Sequence, residues 1–299
     1  MQVNSFPVHR FDDITRHPED FKLLERVPLT VPGALNSLPL ILNKAQDGEK
    51  LHSIVIIDTE TTGKDNTKDK IIELGMVRLT FSMDRNILIS IDSYYDEFED
   101  PKMPIPQEVV NLTHITDEMV RDHVIDDDRV GQMVAGRPLI IAHNARFDRP
   151  LFDRRFPALG DLSWACSIHD VKWDILGYDG VKLSYLCQSA GFFYDAHRAF
   201  IDCLAVAWLL FIEPDALDMI LNNALSSQYK ILAYNSFDIK DKLKELGYSY
   251  NGVHKCWVKT VSNEQELNVQ FDILNTMYNA RDNAKCIKIG SKNKYKIQY

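Results

Sequence analysis

Three segments rich in branched apolar residues follow one another closely in the first third of the chain, and they constrain the fold more than any other feature. SIVIID (residues 53–58), KIIELGMVRLTF (70–81) and NILISIDSYY (86–95) each predict a strand. Because the connections between them are short, the strands are expected to form an antiparallel meander. Strand and helix signals alternate from there to about residue 213, which is typical of an α/β layer architecture.

The elements that follow the meander are also predicted from local patterns. Helices are predicted in EVVNLTHITDEMVRD (108–122), from Asn144 onward, in LSYLCQSAG (183–191) and in AFIDCLAVAWLLFI (199–212), and strands in PLIIAH (138–143) and near WACSIHDV (164–171). The segment EPDALD (213–218) interrupts this alternation and marks the predicted domain boundary.

Three regions follow from these patterns. Residues 1–50 are predicted to form an accessory arm with a short helix in HPEDFKLLERVPL, residues 51–213 the main α/β domain, and residues 214–299 a small α+β module. In this module KDKLKEL predicts a helix that Gly247 would end, and YSY…KCWVKTV predicts a hairpin.

The charge of the chain is unevenly distributed. The net charge is −9, whereas residues 216–299 carry 12 Lys and Arg against 8 Asp and Glu. This basic C-terminal module is where a phosphate backbone would most easily be held. The tail KCIKIGSKNKYKIQY is expected to be solvated.

Cysteine usage and hydropathy indicate the compartment. The five cysteines include no CxxC pair, which argues against a disulfide framework or a zinc knuckle and favours a reducing environment. No apolar run approaches the roughly 20 residues of a membrane span, and MQVNSFPVHRFDD lacks the layout of a secretory signal. The sequence therefore predicts a cytoplasmic protein that does not engage a membrane.

Two carboxylates end the first strand of the meander. Asp58 and Glu60 are alternate residues, so they face the same side about 6.5 Å apart along the strand. They are either turn and cap residues of TETTG or two ligands for one cation. Asp202 bears on this choice, because it is the only polar side chain in the apolar stretch 199–212.

A carboxylate within such a buried helix needs a partner, which can be a metal ion, the helix N-terminus or an arginine. Together with Asp58 and Glu60, a shared divalent cation is the economical explanation, and ligands that are all oxygen favour Mg²⁺ or Mn²⁺ over zinc.

Two further segments place polar residues near the ends of these elements. His197 lies five residues before Asp202 and so cannot share its helical face; it is expected in the loop before the helix, where it is either solvated or a base for an attacking water. Asn144 and Asp148 lie one helical turn apart after a strand, either as a cap with an exposed acid or as further parts of the same site.

The motifs IDTETTG, HNARFD and HRAFID resemble, in this order and at these separations, the three exonuclease motifs of the DEDD superfamily. They resemble most its DEDDh branch, typified by the proofreading ε subunit of bacterial replicative polymerases (the DnaQ-like exonucleases). DKIIELGMVRL and IPQEVVNLTHITDEMV are also similar to stretches between the first two motifs of that family. The resemblance covers about residues 51–213 and implies a ribonuclease-H-like fold, with a mixed sheet flanked by helices.

The resemblance also implies residue roles. Asp58, Glu60 and Asp202 would bind metal directly, Asp148 would support a second ion through water, and His197 would be the general base. The ions implied are two Mg²⁺, for which Mn²⁺ would substitute. By the same analogy the candidate substrate contacts are Thr59, Thr61, Asn144 and Phe147, whereas His143 is interpreted as structural.

The function so implied is a 3′→5′ exonuclease that hydrolyses terminal phosphodiester bonds of DNA, at single-stranded or frayed ends, to nucleoside 5′-monophosphates. One alternative keeps the chemistry on RNA, as in oligoribonuclease. Another is a module with a degenerate site that only binds nucleic acid or a polymerase, which the complete set of acids and the histidine oppose. No recognisable segment supports a polymerase as partner.

The C-terminal module resembles a small module of other bacterial proteins, some of them exonucleases of this kind, in NSFDIKDKLKELGYSYNGVHKCWVKTV. Its aromatic residues Tyr248, Tyr250 and Trp257 lie among lysines. They are expected either to stack on bases or to form the core of the module.

Overall fold

The described residues among the first 50 pack against the main domain in short elements. The computed structural model describes residues 8–30 and 33–296, so part of the predicted N-terminal arm lies outside the described residues. Helix α1 spans Phe11–Arg16, and the short strands β1 (Glu25–Arg26) and β2 (Leu40–Ile41) join two different sheets. Single turns of 3₁₀ helix lie at Val8–Arg10, Pro18–Asp20, Ala34–Ser37, Pro157–Leu159 and Phe237–Ile239.

The short helix predicted over residues 17–29 is wrong. After the turn at Pro18–Asp20 the chain is extended, and β1 pairs in parallel with Phe192–Phe193. Val27 and Leu29 then bury their side chains in the main core. Pairing and burial outweigh the local helix propensity of this segment.

A six-stranded mixed sheet forms the centre of the main domain, in the order β2-β5-β4-β3-β6-β7. Its strands β3 (Leu51–Thr61), β4 (Ile71–Ser82) and β5 (Ile87–Phe98) form the predicted antiparallel meander. Strands β6 (Leu139–Ala142) and β7 (Ser163–Cys166) extend the sheet in parallel with β3. The predicted α/β fold class and mixed sheet are therefore confirmed.

Helices cover both faces of this sheet. The helices of the main body are α2 (Gln107–Thr113), α3 (Asp117–Val120), α4 (Asp127–Met133), α5 (Ala145–Arg155), α6 (Leu183–Ser189), α7 (Ala199–Ile212) and α8 (Pro214–Leu225), and strand β8 (Phe192–Phe193) lies between α6 and α7. Ile54 and Ile56 of β3 pack in the cluster that contains α7, whereas Val55 and Ile57 pack on the side of α5. Over the described residues, no helix has both the length and the apolar character needed to cross a bilayer.

The single helix predicted over residues 108–122 is wrong, because α2 and α3 are separated at His114. His114 has a φ of +60°, the left-handed conformation that ends a helix. The turn brings Ile115 into a small buried cluster with Ile72 and Ile105. Burial of Ile115 thus decides where the helix breaks.

The C-terminal residues form a second sheet with its own core. Its elements are β9 (Gln228–Ala233), α9 (Lys240–Glu245), β10 (Ser249–Asn251), β11 (Cys256–Val261), α10 (Glu264–Met277), α11 (Ala280–Asn283) and β12 (Ala284–Ile289), with the antiparallel order β10-β11-β9-β12. The predicted helix and hairpin are confirmed. Tyr248 and Trp257 are buried in this core, whereas Tyr250 is exposed.

Two segments tie the C-terminal module to the main body. Helix α8 packs Leu217 and Ile220 into the same cluster as β3 and α7, so the division at residue 213 stays a prediction. After β12 the tail returns to the main domain. There the carbonyl oxygen of Ser291 accepts a hydrogen bond of 3.0 Å from the backbone N–H of Trp164. The expectation of a solvated tail is therefore wrong for this stretch, in which Lys294 is also buried.

Candidate active site

The end of strand β3 presents the two carboxylates that the sequence singled out. Residues 54–57 are fully buried, and Asp58 and Glu60 then emerge on one side while Thr59, 5% exposed, points to the other. All three residues line a cavity of about 330 Å³. The strand pleat, anchored by four buried apolar residues, thus sets the spacing of the two acids.

Helix α7 brings Asp202 to the same place because Gly75 allows a close approach. Gly75 lies opposite Asp58 in the β3–β4 ladder. A β-carbon at Gly75 would lie 2.3 Å from the carbonyl carbon of Ala199 and from the nitrogen of Phe200. The helix backbone therefore rests directly on the strand, and ligand oxygens of Asp58, Glu60 and Asp202 come within 4.8 Å of one another.

Glu73 fixes the beginning of α7 from the neighbouring strand. This carboxylate, 1% exposed, accepts hydrogen bonds from the Ala199 N–H (2.9 Å) and from the Arg198 guanidinium (2.6 and 2.9 Å). It also lies directly opposite Glu60 in the ladder. Sequence patterns alone did not reveal Glu73, Gly75 and Arg198, although a single acid within the apolar strand IIELG was a signal for Glu73.

His197 lies two residues before α7, in the loop predicted for it, and lines the cavity from an exposed position. Its φ is +70°. The N–H groups of His197 and Arg198 donate to Oδ2 of Asp202 at 2.9 and 3.2 Å, and the Tyr194 hydroxyl donates to Oδ1 at 3.1 Å. Asp202 therefore holds the loop that carries the imidazole.

Asp148 approaches from helix α5. It is buried, and its Oδ1 accepts hydrogen bonds from the N–H and the hydroxyl of Thr59 at 3.1 and 2.9 Å. It lines the cavity but does not belong to the group of three acids within 4.8 Å. Asn144 occupies the N-cap position with a φ of +95° and makes no capping hydrogen bond with its side chain.

The structure brings together all but one of the predicted site residues. The cavity is lined by Asp58, Thr59, Glu60, His143, Asn144, Phe147, Asp148, Leu183, His197 and Asp202. Thr61 is outside this set, since its hydroxyl donates to the carbonyl of Gly63.

His143, interpreted from the sequence as structural, also reaches the cavity. Its Nε2 lies 2.8 Å from the carbonyl oxygen of Val181, so Nε2 carries a proton, and Nδ1 accepts from the Ser167 hydroxyl at 2.7 Å. Burial lowers the pKa of His143 to about 4. This imidazole is therefore neutral and fixed in orientation.

Electrostatic repulsion in the acidic cluster is strong. Burial, followed by the charges of neighbouring acids, raises the pKa of Glu60 to about 8 and that of Asp58 well above its usual range. Burial also raises the pKa of Asp148 to about 7, against the effect of the Thr59 hydrogen bonds, and raises the pKa of Asp202. Without a cation, these acids therefore bind protons at higher pH than free carboxylates do.

Such a cluster fits a divalent cation. Its donor atoms are all carboxylate oxygens, the ligands that Mg²⁺ and Mn²⁺ prefer. A cation would replace the protons and offset the burial and the repulsion that raise the four pKa values.

The comparison with known families agrees with this geometry. A family model described as exonuclease (RNase_T) matches residues 55–210, more than half of the chain.

The chain belongs to the exonuclease family. The match confirms the resemblance to the DEDD superfamily of exonucleases. The exonuclease is similar to proteins called DNA polymerase III PolC-type: it is 36% identical to that of Clostridium perfringens over 181 residues, which are 58% of this chain and 12% of that one. Identity to the Staphylococcus aureus protein is 33% over 108 residues, 36% of this chain and 7% of that one. The chain thus spans a small part of these relatives.

Solved structures of exonucleases are also similar to this chain. An Escherichia coli exonuclease I–ssDNA complex gives a TM-score of 0.48 at 16% identity, covering 62% of this chain and 49% of that one. Exonuclease X in complex with 5′ overhanging duplex DNA gives a TM-score of 0.42 at 23% identity, covering 55% of this chain and 91% of that one.

Proposed function

We propose that the exonuclease removes nucleotides from the 3′ end of DNA, at single-stranded or frayed ends, and releases nucleoside 5′-monophosphates. The observation that carries this proposal is the convergence of Asp58, Glu60 and Asp202 within 4.8 Å in an open cavity that Asp148 and His197 also line. The cavity lies at the end of β3, a central strand of the sheet.

The acids would hold two Mg²⁺ ions, with Mn²⁺ able to substitute. Asp58, Glu60 and Asp202 would bind directly, and Asp148, whose Oδ1 is engaged by Thr59, would contribute through its other oxygen. Two bound ions lower the pKa of an attacking water and stabilise charge on the attacking and leaving oxygens.

His197 would act as the general base. Its exposed imidazole lines the cavity, and its backbone is tethered to Asp202. The imidazole accepts a proton from a water molecule whose oxygen forms a bond to the terminal phosphorus. The bond from phosphorus to the 3′ oxygen of the preceding nucleotide breaks, and that oxygen takes up a proton as a new 3′ hydroxyl.

Three residues would hold the terminal nucleotide. Asn144 and Phe147 line the cavity with an amide and an aromatic ring, and Thr59, whose hydroxyl donates to Asp148, lines it as well. Phe147 would stack on the terminal base, and the two polar side chains would bond its sugar or phosphate. DNA is proposed as the substrate because the relatives of similar sequence are called DNA polymerases. A reducing cytoplasm suits the five free thiols.

The test is a digest of single-stranded DNA, double-stranded DNA and RNA of one sequence, labelled at either end, in Mg²⁺ and in Mn²⁺. The proposal expects a 3′ label to be released at once as a mononucleotide and a 5′ label to remain on a ladder of shortening strands. Faster release from RNA than from DNA would assign the exonuclease to RNA. If the protein bound DNA ends tightly but released no mononucleotide, it would instead be a module that only binds nucleic acid.

A further inference from the structure

The C-terminal sheet has two faces that differ in their surroundings. On β9, Tyr229, Ile231 and Ala233 point into the core formed with α9 and α10. The alternate residues Lys230 and Leu232 point the other way, where Lys230 lines a cavity that the main domain also lines and both residues line a second cavity. Helices thus cover one face, and the other forms a wall opposite the main domain.

Two cavities along this wall form one groove. The first, of about 510 Å³, lies between the main domain and the sheet, with Arg146 and His169 on one side and Lys230 and Thr260 on the other. The second, of about 380 Å³, extends across the sheet to Tyr234 and His254. The two share Lys230, Ile289 and Lys296 as lining residues.

The groove is basic in an acidic protein. Among the described residues that line it, one acid, Asp170, stands against the cationic side chains of Arg146, Lys230, Lys294 and Lys296. Asp170 lies 3.7 Å from Lys294, and both side chains are buried. Burial, and then the charge of Arg146, lowers the pKa of Lys230, so positive groups of the two walls face one another. The chain as a whole has a net charge of −9.

The groove begins beside the active site. Asn144 and Phe147 at the start of α5 line the catalytic cavity, while Arg146 of the same turn lines the groove. The Asn66 side chain donates to the carbonyl of Arg146 at 3.1 Å and fixes this turn. A nucleic-acid strand whose 3′ end occupies the catalytic cavity can therefore continue directly into the groove.

The tail makes the groove a fixed part of the fold. The fully buried Arg149 of α5 donates to the carbonyl oxygens of Lys292 (2.7 Å) and Lys294 (2.6 Å). Lys294 Nζ donates to the carbonyl of Asn223 at 2.6 Å. The segment that carries Lys296 is thereby attached to the main domain directly after β12, and the sheet is held against that domain.

We propose that this groove binds the phosphodiester backbone of a single-stranded nucleic acid, several nucleotides upstream of the 3′ end in the catalytic cavity. The inference rests on the proposed function and assigns a role to the C-terminal module. Grooves of this kind combine cations that follow the backbone with aromatic platforms for bases, and here Tyr234 and Tyr295 line the groove. The stacking expected of Tyr248 and Trp257 does not apply, because both lie in the module core.

The experiment uses the double variant Lys230→Gln/Lys296→Gln. The control, Lys242→Gln/Lys244→Gln, removes the same charge from exposed positions of α9, on the other side of the sheet. Affinity for 5′-fluorescein dT oligomers of 2 to 30 nucleotides is measured by anisotropy in Ca²⁺ at several salt concentrations. Hydrolysis of a dT 30-mer and of thymidine 5′-(4-nitrophenyl phosphate), which fills only the catalytic cavity, is measured in Mg²⁺.

We expect the wild type and the control to bind longer oligomers progressively more tightly. The groove variant should lose at least tenfold in affinity and in kcat/KM for the 30-mer. The slope of its log binding constant against log salt concentration should be smaller in magnitude by about 1.4, the value for two phosphate contacts to a single strand. Its hydrolysis of the nitrophenyl ester should change less than twofold. Unchanged 30-mer affinity and salt slope in the groove variant would overturn the inference.

Two further outcomes decide what occupies the groove and whether the catalytic cavity is active. Equal displacement of the oligomer by polyglutamate of the same charge would show a general acidic-polymer site and contradict the nucleic-acid assignment. A wild type that binds oligomers in a length-dependent way but hydrolyses neither substrate would sink the proposed function and leave the groove standing.

Discussion

Glu60 and Glu73 lie directly opposite each other in the β3–β4 ladder, two acids of like charge at the edge of the active site. Like charges in this arrangement destabilise a sheet unless a cation intervenes. Arg198 provides that cation by pairing with Glu73 at 2.6 Å, which leaves Glu60 facing the cavity. The pair thus divides into one acid that positions α7 and one that faces the cavity.

Glu73→Gln is expected to lower both stability and rate. The amide keeps the shape and can still accept the Ala199 N–H, but the charge that holds Arg198 is lost. Because Arg198 is 39% exposed, the free energy of unfolding should fall by about 1–3 kcal/mol, which is less than the loss from breaking a fully buried ion pair. We expect kcat to fall about tenfold as the His197 loop loosens, with KM for DNA little changed. Urea unfolding and steady-state kinetics measure both, and Glu97→Gln, which removes an exposed pair with Arg129, is the control.

Gly75→Ala should displace helix α7. The added methyl would lie 2.3 Å from the Ala199 backbone, so strand and helix must separate. We expect the free energy of unfolding to fall by about 3 kcal/mol or more. We also expect no measurable exonuclease activity. Gly131→Ala in α4 is the matched control, since a β-carbon there meets no atom within 4 Å, and it should be neutral or stabilising. The stability of both variants is measured by urea unfolding. Equal unfolding midpoints for the two variants would show that Gly75 does not set the position of α7.

The metal-free protein should become less stable as pH rises. The folded-state pKa is about 8 for Glu60 and about 7 for Asp148, whereas both groups titrate near pH 4 when unfolded. Between these values the folded state binds more protons, so the free energy of unfolding falls from pH 4 to pH 8. We expect Tm in EDTA to be at least about 5 °C lower at pH 8.5 than at pH 6. Mg²⁺ should raise Tm more at pH 8.5 than at pH 6, and a flat Tm profile in EDTA would contradict this account.

His197→Ala should separate catalysis from metal binding. Loss of the general base should lower kcat by about 10²–10⁴-fold. Its tether to Asp202 is a backbone N–H, which alanine retains, so Mn²⁺ affinity measured by calorimetry should change little. A kcat within threefold of the wild type would exclude His197 as the base.

The sequence predicted the elements whose patterns are strong and local. The apolar stretch Ala199–Ile212 is a helix with the predicted limits, and the three strands of the meander pair as expected. Asp58 and Glu60 were found because they are alternate residues at the end of an apolar strand, and Asp202 because it is the polar residue of an apolar helix, where burial has to be compensated.

The remainder depends on contacts that are distant in sequence. The break at His114 follows from burial of Ile115. The tail returns to the main domain because the buried Arg149 needs acceptors, and these are carbonyl groups that carry no sequence signal. Gly75 reads as an ordinary strand glycine until the position of α7 is known.

A crystal grown with Mn²⁺ and measured at the manganese absorption edge tests the convergence of the acids most directly. The account predicts anomalous peaks between the carboxylates of Asp58, Glu60 and Asp202, and none in an otherwise unchanged Asp58→Asn/Asp202→Asn variant. Carboxylates that point apart in the wild-type crystal, with no anomalous density between them, would contradict it.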